Sequence, residues 1–172
     1  MATVTLYVSS RKDDTKLTCA ITGQVKKEVK SKLDDSIGFE HKPLPPKTFL
    51  ARGETVHQQL QAIKSALKHF EKLGCNTADR CFLWSTGEKD IVDLINQNDC
   101  EKLQAQTQEA DTKETIHELY ALKNAFKVRI GWQDSNKKNR FVDQGKSLIG
   151  DRQSKLPTWE NALAKARNNA NG

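Results

Sequence analysis

The sequence lacks paired cysteines. Its four, Cys19, Cys75, Cys81 and Cys100, are widely separated and form no CxxC motif, so the ordinary structural zinc geometry is excluded and they read as free thiols. No apolar run is long enough to cross a bilayer, and no membrane partner is expected. The start of the chain has no basic segment followed by an apolar stretch and a small-residue cleavage site, so cytoplasmic residence is the expectation. A Gly-rich phosphate loop, a nucleophile elbow and a zinc-protease motif are all missing. The four histidines, His41, His57, His69 and His117, are scattered and none pairs with a cysteine, so they propose no metal site. No segment repeats.

What is present fits a soluble globular protein: 172 residues, enough for one domain with a sizeable core, of which 36% are hydrophobic and 29% charged. The net charge of +6 and pI near 9.1 point toward a polyanionic partner such as nucleic acid. The positive charge is gathered in Lys26, Lys27, Lys30 and Lys32, and again in Lys137, Lys138, Arg140, Lys146, Arg152 and Lys155, which favours a surface with a purpose.

Residues 3–8 alternate as a central strand does, and the polar run Ser9 to Asp14 is expected to end it. Residues 16–22 and 24–33 flank Gly23 and read as the two strands of a hairpin, the lysine-rich one at an edge. Pro43, Pro45 and Pro46, with Gly38 and Gly53, mark residues 34–53 as an inserted loop. Val56, Leu60, Ile63, Ala66, Leu67 and Phe70 have helical spacing over 55–73, with Thr55 placed to cap and Gly74 to terminate. Residues 81–84 read as a short strand that turns at Gly87 and Glu88 into a helix over 90–96. Residues 100–126 read as helix divided near 110–112, residues 127–132 as strand, and residues 139–149 as a helix weakened by Gly145. Pro157 opens a last helix over 158–168, with Trp159, Leu163 and Ala166 on one face. Trp84, Trp132 and Trp159 each sit in an apolar pattern and read as core, Trp132 being the best candidate for a base-stacking exception.

Three antiparallel strands, then helix, strand, helices, strand and a closing helix make an α/β order, and that order resembles the ribonuclease H fold. Four local patterns carry the resemblance. Leu6-Tyr7-Val8 leading to Ser9-Ser10 is similar to the family's first strand, which ends in an aspartate followed by glycine and serine. Gln59 to Ile63 with Ala66-Leu67 is similar to its first helix, which begins with a catalytic glutamate. Leu83 to Gly87 is similar to its fourth strand, closed by an aspartate, and Asn139 to Asp143 is similar to its final motif, an asparagine four positions before the last aspartate. The resemblance implies a mixed sheet flanked by helices over residues 1–150, including the Pro-rich loop 34–53, with residues 151–172 as a helical C-terminal extension.

In that family a cluster of carboxylates holds two divalent metals for phosphodiester hydrolysis. Here the four matching positions are Ser9, Gln59, Gly87 and Asp143, and Gln133 falls where the family often places a histidine. The resemblance therefore implies a degenerate member with no catalytic residues, metal or cofactor, whose basic surface still meets nucleic acid, RNA or an RNA/DNA duplex above all. Ser9, Arg11, Lys12, Gln59, Lys137, Lys138 and Arg140 are the candidates on that surface. Two alternatives stay open. One is a magnesium-dependent nuclease with displaced carboxylates drawn from Asp13, Glu54, Glu88, Asp134 and Asp143, with Asp14 and Asp90 nearby; against it, Glu88 and Asp90 are suited simply to a helix start. The other is a protein-interaction scaffold that docks a partner through the Pro-rich loop or the C-terminal helix.

Overall fold

The alternation that opens the chain does not stop at Ser9. The structure, a computed structural model, describes residues 2–13, 16–31, 33–34, 36–53, 55–74, 78–106 and 110–150. In it β1 runs Ala2–Asp13 and pairs antiparallel with β2, Lys16–Lys30, from Ala2↔Lys27 to Asp13↔Lys16. The polar run stays in the strand because its groups find partners there: Ser9 is buried, and the Arg11 guanidinium bonds to both Asp13 and the Gly150 carbonyl. The hairpin expected around Gly23 is absent. Gly23 lies in the middle of one long strand, opposite Leu6.

The expected loop over residues 34–53 holds two strands instead. β3, Ile37–Pro43, pairs with Gln24–Lys30, and β4, Lys47–Arg52, pairs with Lys16–Ile21, so the two lie end to end along the same edge of β2. Proline is tolerated on an edge because its missing N–H need not face a ladder. Pro43 ends β3, Pro45 and Pro46 fill the break, and the Leu44 N–H donates to the Gly23 carbonyl across it at 2.9 Å. The third antiparallel strand is therefore this divided β3/β4, not residues 24–33.

α1, Thr55–Lys72, then leads to β5, Arg80–Ser85, and Gly74 ends the helix at φ +73°. α2, Lys89–Asn96, α3, Cys100–Ala105, and α4, Ala110–Phe126, precede β6, Val128–Trp132, and α5, Arg140–Leu148, follows it. The strand order is β3-β2-β1-β5-β6 with β4 also beside β2; β1–β5 and β5–β6 are parallel. This is a mixed α/β sheet flanked by helices.

On one face Leu6 and Val8 of β1 and Leu83 of β5 meet Leu60, Ile63 and Leu67 of α1, Ile95 of α2, and Ile116 and Leu119 of α4 in one buried cluster. Each such side chain contributes about 1.5–3 kcal/mol by leaving water. A Lys64–Glu118 ion pair joins α1 to α4 and lowers the pKa of the Glu118 carboxyl. α5 lies on the other face over β1 and β2, its Phe141 ring stacked on Tyr7 with centroids 5.5 Å apart. Among the described residues no helix is long and apolar enough to cross a membrane. The helix expected over residues 158–168 lies outside the described residues.

Candidate functional site

Parallel strands place their C-terminal ends, and the turns that leave them, on one rim of a sheet, where α/β proteins usually build their sites. Here that rim joins the ends of β1, β5 and β6. Thr86 seals β5 to β1: its N–H and Oγ1 both donate to the Val8 carbonyl, and its Oγ1 accepts from the Ser10 N–H. The Gln133 N–H reaches the Ser85 carbonyl at 2.9 Å, and Trp132 Nε1 donates to the Gly87 carbonyl at 2.8 Å.

Gln59 and Gly87 do come together. A Cβ placed on Gly87 would lie 1.9 Å from Gln59 Oε1 and 2.8 Å from its Cδ, so the amide occupies the space that a side chain at 87 needs. Gln59 is only 4% exposed. Ser9 is elsewhere. Val8 joins the α1-side cluster, so the next residue turns to the opposite face, where Ser9 Oγ donates to the Val142 carbonyl at 3.3 Å. A Cβ on Gly145 would sit 2.5 Å from Ser9 Oγ, so the glycine that weakens α5 as a helix is what lets it approach β1. Ser9 and Gln59, both expected on a binding surface, are buried by this packing and do not reach one.

The acids are dispersed. Asp143 lies on α5 only half-buried, outside the helix's buried set of Phe141, Val142, Gly145 and Lys146. Asn139 caps that helix, its Oδ1 accepting from the N–H groups of Phe141 and Val142. Glu88 is exposed and occupies the N-cap position of α2 without a side-chain cap bond, and Asp90 sits in that helix's first turn. Asp134 closes a local turn, Oδ1 accepting from the Asn136 N–H, and Asp13 pairs with Arg11. Glu54 and Asp14 lie outside the described residues. Among the described residues no three His, Cys, Asp or Glu side chains stand close enough together to hold a metal ion.

The basic candidates fall into two groups. Arg11 ties β1 to the end of α5, and Lys12 Nζ donates to Thr55 Oγ1 at the start of α1, so both anchor the rim. Lys137 and Lys138 are exposed on the turn between β6 and α5. Arg140 leaves the rim: it donates to Gln24 Oε1 and covers the Phe141 ring at 4.7 Å.

Cys19 and Cys100 are free thiols, and burial pushes the Cys19 thiol up to about 12; Cys75 lies outside the described residues. Trp132 packs partly buried against the core. Trp84, expected in the core, is half-buried on the α5 side of β5 instead, because Leu83 takes the inward position.

This topology, three antiparallel strands continued by two parallel ones with, among the described residues, α5 on the second face, is that of a ribonuclease H-like fold. The N-terminal ribonuclease H domain of Rv2228c from Mycobacterium tuberculosis, solved as a fusion with maltose-binding protein, matches 97% of this chain and 99% of its own with a TM-score of 0.50 at 15% identity. LC9-RNase H1, described as a type 1 RNase H with the type 2 active-site motif, matches 95% of this chain and 81% of its own with a TM-score of 0.50 at 10% identity. At these identities the likeness establishes the fold. No protein-family model and no curated protein sequence matches the chain.

Proposed function

We propose that this is a catalytically inactive ribonuclease H-like domain that binds nucleic acid, an RNA-containing duplex above all, through a basic surface at the rim. The observation that carries the reading is the seating of Gln59 against Gly87, which fills the place where the fold's relatives are expected to carry paired carboxylates. The donor set does not fit a two-metal centre. A buried hydroxyl, an amide, a glycine and a single carboxylate, Asp143, stand at the four matched positions, and magnesium needs several oxygen ligands with formal charge among them. Without that negative charge, phosphates can approach the exposed Lys137 and Lys138 with no metal between them.

The test incubates the full chain with RNA/DNA hybrid, double-stranded RNA and single strands in magnesium or manganese, with binding followed in the same tubes. The expected result is binding without cleavage, weakening steeply with salt, with a shallower salt dependence in Lys137→Glu/Lys138→Glu. Metal-dependent cleavage that disappears in Asp143→Asn overturns the inactive reading, and no binding at low salt overturns the partner.

A second reading is favoured by one observation. Ile37 and Phe39 on the outer edge of β3 are 65% and 54% exposed, and such an edge suits a protein partner that adds a strand. Mixing the chain with a cellular extract after Ile37→Lys/Phe39→Lys, and finding a partner lost that the parent captures, would support it.

A further inference from the structure

α5 packs over β1 and β2, and β5 and β6 continue the same sheet face beside it. The register defines what it presents. Thr3, Thr5 and Tyr7 point to the α5 side with Ser9, and their neighbours in register on β5 are Arg80, Phe82 and Trp84. Phe82 is in turn beside Arg129 of β6, and Trp84 beside Gly131. A Cβ on Gly131 would come within 2.6 Å of Trp84 Cζ3 and 2.9 Å of Cε3, so the indole packs over β6 in the space this glycine leaves. Phe82 and Trp84 are both half-buried and stand two residues apart on one strand, about 7 Å along it.

Cations lie beside Phe82. Arg80 and Arg129 are exposed, and with Lys127 and Phe82 they line a hollow of about 460 Å³ at the start of β5 and β6. Asp79, on its border, accepts from the Ala2 N–H at 2.7 Å. Arg80 also borders a second hollow with Lys26, Phe39 and Glu28. Two aromatic side chains on one face of a strand, with guanidinium groups beside the first, suit bases that are free to splay out, with phosphates running past the arginines. A duplex keeps its bases stacked inward and cannot use the rings. A second copy of this chain, at +6, would set cation against cation.

We propose that Phe82 and Trp84, with Arg80 and Arg129, form a stacking platform for single-stranded nucleic acid on the α5 side of the sheet, separate from the rim. The experiment uses the full chain with fluorescein-labelled 12-mers of dT and rU, and the RNA/DNA hybrid as a parallel ligand. Arg80→Glu/Arg129→Glu, which alters two exposed side chains, is expected to weaken single-strand binding at least tenfold while leaving hybrid binding within twofold. Phe82→Leu, which keeps apolar volume and removes the ring, is expected to cost fivefold or more. With Trp132→Phe and Trp159→Phe, Trp84 is the remaining tryptophan, and its fluorescence is expected to be quenched as the oligomer binds.

Unchanged single-strand affinity in the charge reversal overturns the platform. So does equal loss of both ligands in Arg80→Glu/Arg129→Glu and in Lys137→Glu/Lys138→Glu, which would mean one shared surface, and so does single-strand binding that appears only after residues 151–172 are removed. Single-strand binding that depends on Arg80 and Arg129 while the hybrid fails to bind supports the platform and removes the duplex reading alone.

Discussion

The two faces of the sheet are built to different rules, although the same strands supply both. The α1 side is apolar and closed, with Leu6, Leu60, Ile63, Leu67 and Leu83 all at 1% exposure or less. The α5 side carries one described helix, held as much by polar contacts as by packing: Thr22 Oγ1 donates to the Phe141 carbonyl at 2.7 Å, Ser9 to the Val142 carbonyl, and Arg11 to the Gly150 carbonyl. Single residues show the contrast, since on β5 Leu83 is sealed while Phe82 and Trp84 on either side of it are half-buried. The first face supplies stability, and the second leaves chemistry in reach of solvent.

The sharpest way to break that contrast is within β5. Leu83→Ala should lose about 2–5 kcal/mol in urea denaturation, the range for truncating a sealed leucine. Phe82→Leu should lose less than about 1.5 kcal/mol, because it keeps most of the apolar volume at a half-buried site. Equal losses would mean that both faces are core. Next in size, Gly87→Asp should cost about 1–3 kcal/mol, because its side chain meets the Gln59 amide. Gln59→Ala in the same chain should recover part of that loss, and strict additivity in the double-mutant cycle would show that the two do not compete for space. Asn139→Ala should cost about 1 kcal/mol by removing the cap of α5.

The smallest effect concerns pH. His69 lies in the last turn of α1, and its ring nitrogens make no well-formed hydrogen bond. Burial chiefly holds its pKa below the ordinary imidazole value, with the Lys47 and Lys72 charges adding to this and the nearby Pro45 carbonyl opposing it only in part. The unfolded chain therefore takes up this proton more readily. Its contribution to stability is present above the ordinary imidazole pKa and is lost as pH falls through the lowered one. The melting temperature should drop from pH 7 to pH 5, and His69→Gln should make that slope shallower; an unchanged slope would assign the acid sensitivity elsewhere.

The helices and the two parallel strands were legible because amphipathic spacing survives in α1 and an apolar run in β5. The edge was not. Every residue of β3 is exposed, so no hydrophobic alternation marks it, and prolines that signal a loop in isolation are compatible with an edge strand. Gly23 read as a turn because spacing alone does not distinguish a hairpin from one long strand paired through its middle. The positions Ser9, Gln59 and Gly87 could be picked out from the order of motifs, but not their contacts. Alternation already turns Ser9 away from Val8, whereas the meeting of Gln59 with Gly87 depends on how α1 lies across the end of β5. The closeness of Gly131 to Trp84 depends likewise on strand register, which local sequence does not encode.

The divided edge strand should also open as two separate units. β4 packs against α1 and is tied to the deep core, whereas β3 and the part of β2 it pairs with, from Lys27 onward, are exposed to solvent. A continuous strand would couple opening along the whole edge, but the break at Pro45 and Pro46 removes two amides at the junction and lets the outer ribbon open alone. Amide hydrogen exchange should therefore run in two tiers along one strand, fast for Lys27–Lys30 with Gly38–Glu40 and slow for Leu17–Ile21 with Thr48–Ala51.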